Sequence, residues 1–182
     1  MASAMIKSIR GSDPDAALYW MARMLDGGED VKFIARRLII SAAEDIGLAN
    51  PNALLLANSC FQSVHVIGMP EARIILSECV IYLATSAKSN TAYMAINRAM
   101  EEVKKTGHLN VPIHLRNAPT SLMKDLDYGQ NYLYPHDHPG NFVKQDYLPE
   151  EMDSIQFYFP GKNSTEDRIR AFIEQRWPKK EG

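Results

Sequence analysis

From Pro14 to Lys105 the apolar positions recur with helical spacing, broken at intervals by start and stop signals. Asp13-Pro14 opens the first clear run, because an Asp side chain accepts from free helix amides and Pro is tolerated in a first turn. Leu18, Met21 and Leu25 share one face of it, and Gly27-Gly28 ends it. Asp30 caps a second helix carrying Val31, Ile34, Leu38, Ala42 and Ala43 at helical spacing, closed by Gly47. Asn50-Pro51 repeats the start signal ahead of Ala53 to Ile67, a run with no Asp, Glu, Lys or Arg. A helix apolar on most sides belongs at the centre of a fold or at an interface. Pro70 opens a fourth helix, from Glu71 to about Ser86, and Ser89 caps a fifth that runs to Lys105 before Gly107. Starts recurring about every 20 residues predict antiparallel helical hairpins. The intervals carry no repeated sequence, so a solenoid is not predicted.

After Gly107 the rhythm is lost. Prolines at 112, 119, 135, 139, 149 and 160 punctuate the chain, and tyrosines cluster at 128, 132, 134, 147 and 158. Thr120 caps a short helix to about Tyr128. From 129 to 160 the pattern predicts irregular chain pinned by aromatic rings, with a turn near Phe142 and a short extended piece over 156–159. Ser164 or Thr165 opens a last helix through Trp177, with Ile169, Phe172, Ile173 and Trp177 on its apolar side. Lys179-Lys180-Glu181-Gly182 reads as a polar, frayed tail. The predicted fold class is mostly all-α.

Composition changes this picture little. The 182 residues are 46% hydrophobic, 23% charged and 9% aromatic, with 20 Lys+Arg against 22 Asp+Glu. A net charge of −2 argues against a protein that coats nucleic acid or a membrane surface. Cys60 and Cys79 lie in apolar helical runs and read as buried thiols of a reducing cytosol. No run reaches the ~18 apolar residues of a membrane span. Residues 1–5 are small and uncharged, lack the features of a signal peptide, and read as an expression scar ahead of a piece of a longer protein.

The candidate chemistry is sparse. There is no Gly-x-x-x-x-Gly-Lys-Ser/Thr, no Gly-x-Gly-x-x-Gly and no Gly-x-Ser-x-Gly, so neither standard phosphate loop nor a nucleophile elbow is written here. His136-Asp137-His138 is the most metal-like triplet, with His108 and His114 the nearest further ligands. Pro135 and Pro139 frame it as a turn, and the ligand count falls short. Glu44-Asp45 follows Arg36-Arg37, with Ser41 between Arg37 and Glu44 on one stripe. Adjacent helix residues diverge by about 100°, so a polar stripe at a helix contact, or a plain solvated face, is favoured over an acid/base pair. Cys60 and His65 fall on different helix faces, with no third group to orient them. The basic residues Lys104-Lys105, Arg168, Arg170, Arg176 and Lys179-Lys180 are a weak nucleic-acid footprint, the last 21 residues holding six basic and four acidic side chains. The expectation is no catalytic, cofactor-binding or metal residue in this chain.

Five collinear stretches carry a family resemblance. Lys7-Ser8-Ile9-Arg10-Gly11-Ser12-Asp13-Pro14-Asp15-Ala16-Ala17-Leu18-Tyr19-Trp20 leads. Ala35-Arg36-Arg37-Leu38 with Ala43-Glu44-Asp45-Ile46-Gly47, and Tyr82-Leu83-Ala84 with Lys88-Ser89-Asn90, follow. Val111-Pro112-Ile113-His114-Leu115-Arg116-Asn117-Ala118-Pro119-Thr120 and Tyr128-Gly129-Gln130 with Tyr134-Pro135-His136-Asp137 complete the set, and Tyr158-Phe159-Pro160 also fits. Together they resemble the helical region behind the ATPase core of the replication-associated recombination protein A (RarA, or MgsA) family, AAA+ ATPases related to clamp-loader subunits.

The resemblance implies a clamp-loader collar-like region over 6–107 that assembles the subunits, and an extension over 108–182 packed on it. It implies a non-catalytic oligomerisation domain whose partner is itself, as a homotetramer. The ATP, the magnesium and the Walker and sensor residues would belong to the parent protein, as would contacts with DNA and replication-fork proteins. The parent would act in fork maintenance, recombination and repair, in the bacterial cytoplasm and at the nucleoid. The alternative is a module of the same ATPase that docks DNA or a fork protein.

Overall fold

A computed structural model describes residues 1–152 and 155–178, with Lys124 described in its backbone only. Among the described residues the regular structure is helical throughout, and no strand is present. The order is α1 (Ala2–Arg10), α2 (Pro14–Asp26), α3 (Val31–Ser41), α4 (Asn52–Ile67), α5 (Ala72–Thr85), α6 (Thr91–Thr106), α7 (Ser121–Asp125) and α8 (Ser164–Arg176), with short 3-10 turns between the later ones.

The chain divides into two compact units. The first joins Met1–Ile96 to a returning segment, Tyr158–Ile169; the second holds Asn97–Phe157 and the stretch that begins at Arg170. The sequence pattern puts a change of character at 107/108, and these two units divide inside α6. No residue of α6 is fully buried.

In the first unit α1 packs on α2, α3 on α4, α4 on α5, and α2 on α5. Ile9, Met24, Ile34, Leu38, Ile46, Val64, Leu76, Val80 and Leu83 are almost wholly buried among them. Residues 1–5, expected as an appended scar, lie within or just before helix α1. Met5 is completely buried in this core, with Ile6 and Ile9 on the same face. Ala and Met are good helix formers, and a short helix lacking a side-chain cap is held by that buried face.

The helix starts are built in three ways. Asp13 Oδ1 accepts from Ala16 N at 2.9 Å with Pro14 in the first turn, and Asp30 Oδ1 accepts from Lys32 N at 3.0 Å. Asn50 does not cap α4. Its side-chain amide instead donates to Tyr82 Oη at 2.9 Å and Ser86 Oγ at 3.3 Å on α5. The last helix is capped one residue earlier than expected, by Asn163, whose Oδ1 accepts from Glu166 N at 3.0 Å. The second predicted helix ends differently from an ordinary one: residues Ala42–Ile46 widen into a π turn before Gly47.

The second unit is irregular, as its prolines require. Gln145 clasps the backbone of Leu133, accepting from its N–H at 3.2 Å and donating to its carbonyl at 2.7 Å. Trp177 meets Phe142 and Tyr147 edge to face, at centroid distances of 5.5 and 6.3 Å. Aromatic rings therefore do pin this segment, but Tyr132 and Tyr134 stay outward, and a side-chain amide does part of the fastening. The tail Lys179–Gly182 lies outside the described residues.

Candidate functional site: an apolar helical hairpin and a buried carboxylate

Helices α4 and α5 are joined by four residues and run antiparallel. Asn50 at the start of α4 meets Tyr82 and Ser86 at the end of α5, while Cys60 Sγ lies 3.8 Å from the Ile75 carbonyl nearer the turn. One side of the pair supplies the core through Ala53, Ala57, Val64, Leu76, Val80 and Leu83. The other side is open and carries aliphatic side chains among polar ones such as Asn58, Ser59 and Gln62. Leu55 is 69% exposed, Val66 82% and Ile74 55%, with Leu54, Ile67, Met69 and Ile81 also outward. Glu78 is the charged residue among them. It lines both the groove between the helices, beside Leu55, Ser59 and Cys60, and a shallow depression between Ile74 and Ile81.

A different arrangement sits at the other junction of the first unit. Glu166, in the first turn of α8, is completely buried. Its carboxylate accepts from Ser89 Oγ at 2.6 Å, Thr91 Oγ1 at 2.5 Å, Asn163 Nδ2 at 2.5 Å, Gly161 N at 3.0 Å and Tyr158 Oη at 3.1 Å. Burial opposes the charge, but the hydrogen bonds from Ser89, Thr91, Gly161 and Asn163 outweigh it and hold the carboxyl at about 2. No cation takes part in these contacts: the donors are hydroxyls, an amide and a backbone N–H. Beside it, Gly47 has φ +46° and passes so close to the Ser89 carbonyl that a Cβ would come within 2.7 Å of the oxygen. This is a structural fastening, with both carboxylate oxygens engaged and no open position for a substrate.

The acidic pair of the sequence lies nearby and is used in the same way. Arg10 of α1 donates through Nε to Asp45 at 2.6 Å and through a terminal nitrogen to Glu44 at 3.2 Å. The fork of one guanidinium spans the two carboxylates that an ideal helix would turn apart. Ser41 donates to the other Asp45 oxygen at 2.9 Å, and the Asp45 carbonyl accepts from Ser89 N. Arg36, one of the two upstream candidates, reaches only Asp30, at 4.0 Å. The polar stripe is thus a helix contact, made by an arginine that the local pattern did not single out. Lys88 donates to the Ala84 and Ser86 carbonyls and to Ser12, and burial lowers its pKa while Asp45 opposes that.

The remaining candidates are scattered. His136 and Asp137 lie in a 3-10 turn with the Tyr134 ring tilted against His136, and the His138 amide closes the turn on the Pro135 carbonyl. His114 Nε2 is 2.7 Å from the Asp146 carbonyl. Among the described residues no three His, Cys, Asp or Glu side chains converge as a metal site would need. His65 is exposed, away from buried Cys60. Of the basic residues, Lys105 pairs with Glu102 at 3.5 Å, and Arg176 stacks 3.7 Å from the Phe172 ring. Lys179-Lys180 lies outside the described residues. No described helix is long and apolar enough to cross a membrane.

A family model described as the MgsA AAA+ ATPase C terminal matches residues 11–177. The chain belongs to the MgsA C-terminal family. Replication-associated recombination protein A of Coxiella burnetii is 49% identical over 173 residues, covering 94% of this chain and 39% of that protein. The Escherichia coli K12 protein of the same name is 40% identical over 168 residues, 92% of this chain and 38% of its own length. ATPase WRNIP1 of Dictyostelium discoideum is 45% identical over 157 residues, 86% of this chain and 18% of that protein. The chain therefore spans about two fifths of the bacterial relatives it matches. Within the MgsA C-terminal match fall Arg10's acidic partners, Ser89, Thr91 and Glu166, together with the whole α4–α5 hairpin.

Proposed function

We propose that this chain is the non-catalytic assembly domain of a replication-associated AAA+ ATPase, and that it forms a homotetramer. The observation that carries this reading is the α4–α5 hairpin, which is apolar on the core side and carries exposed aliphatic side chains on the open side. Exposed aliphatic side chains on two adjacent helices gain most by meeting a matching surface, and a second copy supplies one. An obligate interface of this kind buries on the order of 2,000 Å² or more. The collar-like role expected from clamp-loader relatives fits a helical piece that carries no phosphate loop.

Under this reading ATP and magnesium are handled outside this chain, and no cofactor, metal or catalytic residue belongs to it. Contacts with DNA and fork proteins, and action in recombination and repair, belong to the parent, in the bacterial cytoplasm and at the nucleoid. Sedimentation equilibrium of the purified chain tests the assembly. A tetrameric mass at tens of micromolar, lost in Leu55→Glu/Ile74→Glu, is expected. A monomeric mass removes the reading, and a dimer keeps the interface while contradicting the tetramer.

A second reading, docking of DNA or a fork protein, draws on the second unit. There Arg116 lies 5.0 Å from the Tyr128 ring, and Tyr134, Tyr147 and Trp177 present ring surface outward. Rings and guanidinium planes of this kind stack on bases. A gel-shift titration with single-stranded DNA at two salt concentrations tests it, and binding unaffected by Tyr134→Ala/Trp177→Ala sinks it.

A further inference from the structure

Cys60 and Cys79 are not claimed by anything above. Each lies seven residues from the turn of the hairpin: Cys60 before Ile67, the last residue of α4, and Cys79 after Ala72, the first of α5. In an antiparallel pair, equal distance from the turn places two residues side by side. The structure agrees, since both line the groove between the helices, and Cys60 Sγ reaches the Ile75 carbonyl, one helical turn before Cys79. Both thiols are nearly buried, 4% and 1% exposed, so neither is a surface cysteine awaiting an external partner. Serines 59 and 63 and Glu78 on the same groove give a small polar molecule a route to the sulfurs.

We propose that Cys60 and Cys79 form a vicinal dithiol, a modification site that a small peroxide converts to an intramolecular disulfide linking α4 to α5. The roles of the two sulfurs differ. The hydrogen bond from Cys79 lowers the pKa of the Cys60 thiol, and the same bond, with burial, raises that of Cys79. Cys60, which also keeps the larger exposed share of the two, is the attacking thiol and Cys79 the resolving one. In the first step the Cys60 thiolate attacks one peroxide oxygen and the O–O bond breaks. Hydroxide leaves and Cys60 becomes a sulfenic acid. In the second, the Cys79 sulfur attacks the Cys60 sulfur, the S–O bond breaks, and the Cys79 proton leaves with the hydroxyl as water. One peroxide is reduced by two electrons, and two thiols are oxidised by two.

The test uses the whole chain. Native protein is treated with hydrogen peroxide, blocked with an alkylating agent in denaturant, and weighed by intact mass spectrometry. The expected product has lost two hydrogens, takes up no alkyl group, and yields one cross-linked peptide containing Cys60 and Cys79. Cys79→Ser should stop the reaction at a Cys60 sulfenic acid trapped by a dione reagent, while Cys60→Ser should slow loss of the remaining thiol by at least tenfold. Two alkylated thiols after treatment, or a disulfide between two chains, would overturn the proposal. Because the readout is the wild-type mass, it holds even if a variant folds poorly.

Discussion

A single carboxylate does more to fasten the first unit than any other polar side chain described. Glu166 has no exposed surface and five hydrogen-bond donors, so replacing it with Ala leaves three hydroxyls, an amide and a backbone N–H without their acceptor. With three hydroxyls (Ser89, Thr91 and Tyr158) among the five donors, we expect Glu166→Ala to lower stability by roughly 3 kcal/mol, measured by urea denaturation. The same group sets an acid limit. Its pKa falls from 4.5 to about 2 on folding, so the folded state binds the proton less readily than the unfolded chain. The resulting stability, roughly 3 kcal/mol, is fully present above pH 5 and is lost as pH falls towards 2. Urea midpoints between pH 6 and pH 3 check this: the wild type should lose more stability over that range than Glu166→Gln. Gly47 is constrained for a separate reason. Gly47→Ala meets the Ser89 carbonyl at 2.7 Å in a backbone region that L residues rarely adopt, and should cost on the order of 2 kcal/mol by the same measurement.

At the scale of elements, the start of α2 is the plainest local prediction. Asp13→Ala removes the acceptor of the Ala16 amide and should cost about 1 kcal/mol. Met5→Ala should cost more, about 2–4 kcal/mol, because it opens a cavity under α1 in the core. A thermal melt separates the two. The contrast between these positions says what was legible. Asp13-Pro14, Asp30 and the glycines after α2 and α4 announce themselves, because capping and termination depend on residues next to one another in sequence. Helix α1 did not, since its small residues carry no cap and its apolar face gains meaning only from α2 and α3. Asn50 shows the converse. Its Asn-Pro start signal was local, but Tyr82 and Ser86, over thirty positions away, took the side chain. The carboxylate site was half written: Asn163-Ser164-Thr165-Glu166 has the spacing of a capping box. Nothing near it in sequence names Ser89 or Thr91, which come from the start of α6.

At the scale of the molecule, the family and the helical class were legible, and the apolar hairpin was expected from the uncharged run over 53–67. What the sequence pattern could not give was its geometry. Counting apolar residues does not tell which of Leu54, Leu55 and Leu56 turns outward; that follows only once α5 and the core fix the rotation of α4. The division at Ile96/Asn97 was equally hidden, because it lies within an unbroken helix.

The returning segment has a consequence in time. Within this stretch a ribosome makes Met1–Ile96 before the sixty-one residues of Asn97–Phe157, and only afterwards Tyr158–Ile169. Ser89 and Thr91 are thus synthesised long before the glutamate that receives their hydrogens, and until Glu166 leaves the exit tunnel the first unit lacks its last fastening. A nascent chain halted between 107 and 157 should expose Ser89 and Thr91 to solvent and be cut by protease near that loop, whereas one released beyond 176 should resist. The helices of the first unit depend for their final stability on a segment made only after the whole of Asn97–Phe157.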